Sequence, residues 1–263
     1  MAEMLRFSSC QAPIAEPFCE ALAALIGEKL SVPSEYVGDI PWQERYRMLD
    51  RGEIQVCWIC GLPYVVRSND LELLAAPVMS DPRYGGKPVY YSDVVVRADS
   101  SFRSFEDLRG ATWAYNERGS HSGYNVTRYH LAKEGLGHGY FGNFIQSGSH
   151  QNSLRMLLER AIDATAIDST VLEMLLAREP AITERIRTIT VLGPSPAPPW
   201  VVHPSVPASV RRALLEAFLS MDQDPRGQRI LKDAGMLRFA AVSDRDYDSI
   251  REMERIASSL AKK

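Results

Sequence analysis

Six consecutive residues, Gly119, Ser120, His121, Ser122, Gly123 and Tyr124, put two hydroxyls and an imidazole into one glycine-bounded turn. The apolar run at 111–115 reads as a strand before them, and a helical pattern through 131–134 follows. A strand, a tight turn and a helix start leave several backbone N–H groups unpaired and pointing one way. The helix dipole adds partial positive charge there. Ser120 and Ser122 add hydroxyl donors. This is the composition of an oxyanion cradle. Serine is also a leading N-cap residue, so an ordinary helix cap uses the same atoms. Taken alone, the six residues fit both descriptions.

The other reactive side chains point to less. Cys57 and Cys60 form a C-x-x-C pair, with Cys10 and Cys19 elsewhere. The pair ends a strand, whereas a redox motif usually opens a helix, and a structural zinc needs a second ligand pair. The five histidines supply none. The cysteines read as small buried hydrophobes. No cofactor or metal is expected, and no nucleophile–base pair or dinucleotide loop stands out. The expectation is a binding protein, not an enzyme. A net charge of −3 gives no broad attraction to nucleic acid or anionic lipid, so any anion is bound locally. No apolar run approaches the roughly 20 residues that span a bilayer, so the chain does not read as an integral membrane protein. Residues 1–5 lack the pattern of an export signal. Read literally, the chain stays in the cytoplasm; a trimmed mature start with an added Met reads the same.

The elements that must position the turn alternate strand and helix. Strands are expected at 5–8 and 54–59 and helices at 18–30 and 41–51, with a turn at 60–64. After a loop at 81–88 come strands at 89–97, 111–115, near 144–145, 162–167 and 185–192. A one-turn helix at 105–110 and helices at 151–160 and 170–178 lie among them. A proline-rich connector, 193–199, leads to a strand at 200–202, and the remainder reads as helical (208–221, 225–234 and 247–260). Ser243 and Asp246 suggest a capping box. The order is α/β, with two lobes, each a mostly parallel sheet flanked by helices. Lobe 1 is expected to hold residues 1–90 and 198–263, and lobe 2 residues 91–197, with two crossings acting as a hinge. The cradle, the loop at His150, the corner at Asp168 and the turn at Gly61 all fall at strand carboxyl ends. Such lobes bind ligands there, in the cleft between them.

Several segments, in this order, resemble the solute-binding proteins of phosphonate, phosphite and phosphate ABC importers. They are residues 52–58 (GEIQVCW), 89–100 (VYYSDVVVRADS), 105–110 (FEDLRG), 120–123 (SHSG), 148–150 (GSH) and 247–253 (YDSIREM). The resemblance implies a class II periplasmic-binding fold that closes on its ligand like a hinge. It implies an oxyanion gripped by Ser120, His121 and Ser122 before Gly123. The family tyrosine at the first crossing falls on Tyr90, with Tyr91 beside it, and the family histidine falls on His150. An early-helix aromatic falls on Trp42, which would close over the anion with the Gly61–Tyr64 turn. Relatives that bind aminoalkyl phosphonates surround the ammonium with acidic groups. Thr170 and Pro198 stand at the corresponding places here, and Asp168 is either a substitute or a helix cap. His121 within the serine turn is a departure that either adds charge when protonated or narrows the pocket. The expected ligand is a small phosphorus oxyanion or phosphonate without an amine. The resemblance also implies ABC permease and ATPase partners and a periplasmic location. The alternative is a cytosolic ligand-sensing module or a cofactor-biosynthesis enzyme on the same fold.

Overall fold

Apolar strands that each hand over to an amphipathic helix need a partner layer to cover both faces, and this chain builds two separate sheets to provide it. The computed structural model describes residues 4–137 and 139–259. In chain order the first elements are β1 (Leu5–Ser9), α1 (Glu16–Leu30), β2 (Ser34–Tyr36), α2 (Trp42–Asp50), β3 (Val56–Trp58), α3 (Gly61–Arg67) and β4 (Glu72–Met79). Then come β5 (Val89–Arg97), β6 (Thr112–Tyr115), a π turn (His121–Asn125) continuing as α4 (Val126–Lys133), β7 (Asn143–Gln146) and α5 (His150–Leu158). The chain goes on through β8 (Ala164–Asp168), α6 (Ser169–Arg178), β9 (Ile186–Pro196), β10 (Trp200–Val202), α7 (Ala208–Leu219), α8 (Pro225–Asp233), β11 (Met236–Ala240) and α9 (Asp248–Ser259).

The contacts divide the chain into two units, Met1–Val89 with Pro196–Tyr247, and Tyr90–Ser195 with Asp248–Lys263. The first holds a six-stranded sheet in the order β11-β4-β10-β3-β1-β2. β1 pairs in parallel with β2 and β3, whereas β10 and β11 run antiparallel to β4. The second holds a five-stranded sheet, β7-β6-β8-β5-β9. β6 lies parallel to β7 and β8, and β5 antiparallel to β8. Its core centres on Trp113, packed against Phe105 and Phe141 and closed by Val94, Val96, Val126 and Leu131.

Four features depart from the sequence expectation. Residues 61–67 form α3 instead of a turn; Pro63 is tolerated because it sits in the first turn, where its missing N–H is not needed. β2, β4 and β11 are strands where none was expected. Pro77, which has no N–H for a ladder, lies within β4 opposite Phe239 of the irregularly paired β11. β9 runs on into the proline-rich segment as far as Pro196. Lastly, residues 248–259 were expected with the first lobe, but α9 packs on α4 in the second unit. Ile250, Met253 and Ala257 recur at helical spacing; Ile250 and Ala257 are buried, and Met253 packs on the Trp113 core. Arg128 of α4 donates to the Ala257 carbonyl at 2.9 Å. An amphipathic stripe records that it needs an apolar surface and not which one, so chain order could not reveal this extra crossing.

Candidate functional site

In the second unit β7, β6 and β8 run side by side in one direction, so their carboxyl ends open along one edge of the sheet. The three connections leaving that edge carry the serine turn, His150 and Asp168. This edge is where loops of a parallel α/β sheet converge.

β6 leads into the π turn. The Asn125 N–H donates to the Ser120 carbonyl at 3.1 Å, and the Val126 N–H to that of His121. The i→i+5 spacing moves the first intrahelical donor from Tyr124 to Asn125, so the turn starts with one more N–H outside the helical ladder than an α-helix would. One of these N–H groups is used locally: Gly123 N–H donates to Ser120 Oγ at 3.1 Å, the expected N-cap bond. The turn is therefore cap and donor array together.

His150 arrives from the next strand. Backbone N–H groups of Ser147 and Gly148 donate to the carbonyls of Tyr115 and Asn116, both at 2.8 Å, stitching this loop to the end of β6. Gly148 takes φ = 91°, a conformation that favours glycine. Ser149 caps α5, accepting from Asn152 N–H at 3.0 Å, and sets His150 as the first helical residue. His150 Nε2 then lies 3.1 Å from Ser122 Oγ and 3.4 Å from Asn116 Nδ2. Ser122 Oγ is 3.4 Å from Ser120 Oγ. This closeness requires glycine at 123: a Cβ there would sit 2.1 Å from Asn116 Oδ1 and 3.2 Å from His150 Cε1.

Ser120, His121, Ser122 and His150 are all buried. Burial pushes the His150 imidazole down to about 4 and that of His121 to about 3, so both rings are neutral at pH 7. With the Asn116 amide donating to His150 Nε2, the ring proton sits on Nδ1, a buried atom with no partner among the described residues. The cluster thus offers hydroxyls, backbone N–H groups and a neutral imidazole. Dipoles of this kind can solvate an anion without a paired cation. Each charge-assisted bond contributes about 1.5–3 kcal/mol.

The other expected residues divide. His121 does not supply positive charge: its ring is fully buried, with Nε2 3.0 Å from Ser195 Oγ and Nδ1 3.2 Å from Asn125 Nδ2. The buried Tyr90 meets that ring edge-on, with centroids 6.4 Å apart. Tyr91 is half-buried, and its N–H donates to Ser169 Oγ at 3.1 Å. Asp168 acts as a helix cap, accepting from Thr170 N–H at 2.9 Å and Thr170 Oγ1 at 2.7 Å. Burial raises its carboxyl to about 6. Trp42 and Tyr64 belong to the first unit. Trp42 is half-buried in the first turn of α2, edge-on to Tyr46. Tyr64 is a core residue that donates to Asp244 at 2.8 Å and packs on Tyr247. Cys19 and Cys57 are buried free thiols, both pushed up by burial, Cys19 to about 12.

Sequence reasoning missed Asn116, Asn125 and Ser195. Asn116 directly follows a buried strand and precedes the serine turn, a place where a polar residue rarely stands idle. Ser195 was absorbed into a run of prolines.

Residues 14–247 match the family described as ABC transporter, phosphonate, periplasmic substrate-binding protein. The phosphonates-binding periplasmic protein of Escherichia coli (strain K12) is 22% identical over 247 residues, which cover 90% of this chain and 70% of that protein. A binding component of an ABC phosphonate transporter from Pseudomonas aeruginosa superposes with TM-score 0.87 at 16% identity, over 99% of this chain and 88% of its own. A Prochlorococcus marinus (MIT 9301) protein, solved in complex with methylphosphonate, gives 0.85 at 19% identity, over 96% and 97% of the two chains. At these identities the two structures show a shared fold. Among the described residues no helix is long and apolar enough to cross a membrane.

Proposed function

This chain belongs to the family of periplasmic phosphonate substrate-binding proteins of ABC transporters, and on that premise we propose that it captures a small phosphonate or related phosphorus oxyanion on the serine turn of its second unit. The family is one of binding proteins, not enzymes. Delivery to an ABC permease and its ATPase, in the periplasm, is part of the same proposal.

The observation that carries it is the buried meeting of Ser122, Ser120 and His150 at a helix start, with the His150 Nδ1 donor unsatisfied. An orphaned buried donor costs about 1–3 kcal/mol, which a ligand oxygen would recover. In this reading Ser120, Ser122, His150 and backbone N–H groups of the turn hold the phosphonyl oxygens, with Tyr90 and His121 behind them. The role of Asp168 as a cap supports a ligand without an amine, because Oδ1 of its carboxylate already accepts from Thr170.

The test is calorimetric titration of protein refolded to strip carried ligand, using methylphosphonate, phosphite, phosphate, 2-aminoethylphosphonate and sulfate. Methylphosphonate should bind at least about tenfold more tightly than sulfate or 2-aminoethylphosphonate. The Ser122→Ala/His150→Ala double variant should abolish that binding. A protein that binds none of the five overturns the proposal.

A further inference from the structure

His121 sits between the two cradle serines in sequence, yet both of its ring nitrogens face protein groups. Nδ1 meets Asn125 Nδ2 at 3.2 Å, from the last residue of the π turn. Because that amide nitrogen donates, Nδ1 accepts, and the ring proton rests on Nε2, which donates to Ser195 Oγ at 3.0 Å. The ring is fully buried, and so is Ser195, at 2% exposure.

The positions of its neighbours in the chain are informative. Tyr90 is the first residue of the second unit, and Ser195 is the last before the chain leaves it. His121 touches both, Tyr90 through the edge-on ring contact and Ser195 through the hydrogen bond. The two segments also lie against each other: a Cβ on Gly193 would come within 3.4 Å of the Tyr90 carbonyl and 3.5 Å of the Tyr91 ring. Ser195 stands between Pro194 and Pro196, neither of which has a backbone N–H to offer. Its hydroxyl therefore adds a side-chain tie to the backbone pairing of β9 with β5.

We propose that His121 is a positioning residue for anion capture, clamping the serine turn to the two segments through which the chain first enters and then leaves the second unit. The clamp rests on the anion-capture reading above. It acts without touching the ligand: by fixing the ring between Asn125 and Ser195 it holds Ser120 and Ser122, on either side, at the spacing their donors need. Donors held in place before the ligand arrives lose less freedom on binding, which is where the affinity comes from. A serine or threonine at 121 would be too short to span to Ser195. The imidazole at this position thus reads as part of the support of the site.

The experiment compares Ser195→Ala, His121→Leu, their double variant and His121→Gln, each refolded to strip ligand. Methylphosphonate is titrated calorimetrically, and amide hydrogen exchange is followed at Gly123, whose N–H is bonded to Ser120 Oγ. Ser195→Ala should weaken binding on the order of tenfold and His121→Leu at least as much, and the double variant no further than His121→Leu, because the link that Ser195→Ala cuts is already gone there. His121→Gln, whose amide can reach Ser195, should recover part of the loss. Exchange at Gly123 should quicken on the order of tenfold in Ser195→Ala even without ligand. Ser195→Ala is the mild change, and it keeps the test valid if His121→Leu fails to fold. Wild-type affinity in Ser195→Ala, or additive losses in the double variant, would overturn the clamp. If the wild-type protein binds no oxyanion, the capture reading falls and exchange alone decides: faster exchange at Gly123 in Ser195→Ala upholds the clamp, and unchanged exchange removes it.

Discussion

Gly123→Ala separates a binding defect from a folding defect in one methyl group. The new Cβ would lie 2.1 Å from Asn116 Oδ1, so the Asn116 side chain must retreat by about 1 Å to reach a tolerable contact. His150 follows, because it lies against both Asn116 and the new methyl. Overpacking costs about 1–3 kcal/mol. Alanine recovers about 1 kcal/mol of helix propensity, since Gly123 is not held at positive φ. The net loss of stability is then at most about 2 kcal/mol. Binding suffers differently. Moving His150 off Ser122 removes one charge-assisted bond to the anion, about 1.5–3 kcal/mol, which corresponds to a roughly 10- to 150-fold weaker Kd. Calorimetric titration with methylphosphonate and urea unfolding on the same sample measure the two effects. Adding Asn116→Ala removes the clash and should return part of the affinity. A folded Gly123→Ala protein that binds within about threefold of wild type refutes the packing argument.

Three further outcomes are expected. Burial raises the Glu117 carboxyl from 4.5 to about 7, so its penalty is small at pH 5 and full above pH 7; Glu117→Gln should stabilise the protein by about 1–3 kcal/mol at pH 8 and by less than about 1 kcal/mol at pH 5. The lowered His121 and His150 act with the opposite sign, contributing stability above pH 6.5 that is lost as pH falls toward 4 and 3. In the Glu117→Gln background urea unfolding should therefore show a net loss of about 2 kcal/mol between pH 7 and 5, after the relief at Asp168 is counted; a flat profile contradicts the burial of the two rings. Ile250→Ala should cost about 2–4 kcal/mol and quicken hydrogen exchange in α4, with β1 and β3 unaffected. Unchanged exchange in α4 would contradict the placement of α9.

Local chemistry was legible without coordinates because it depends on neighbours in the chain. A serine cap in the 119–124 turn, the Ser243–Asp246 box and the apolar strands before each turn all follow from spacing; that Ser120 is the serine that caps comes from the structure. In the structure Ser243 N–H and Oγ both bond Asp246, at 2.6 and 2.9 Å. The family could be recognised for the same reason, since its segments are local and ordered. Asp168 shows the limit: a carboxylate at a strand end has the same sequence whether it binds a ligand or caps a helix, and only the position of Thr170 separates the two. β11 escaped because its own pattern is weak and its antiparallel pairing with β4 is irregular, so it is defined more by its partner than by its sequence.

By itself the sequence determined the α/β alternation, the family and the turn that can hold an oxyanion. Tertiary structure decided which distant residues complete that turn. Ser122 and His150 are 28 positions apart and meet because β6 and β7 are parallel neighbours, which hydrophobic pattern does not specify. His121 and Ser195, 74 positions apart, meet across the entry and exit of one unit, and burial converts an imidazole that could have carried charge into a neutral tie. Charge state and partner depend on what surrounds a side chain in space, and a linear chain encodes those surroundings only through the fold.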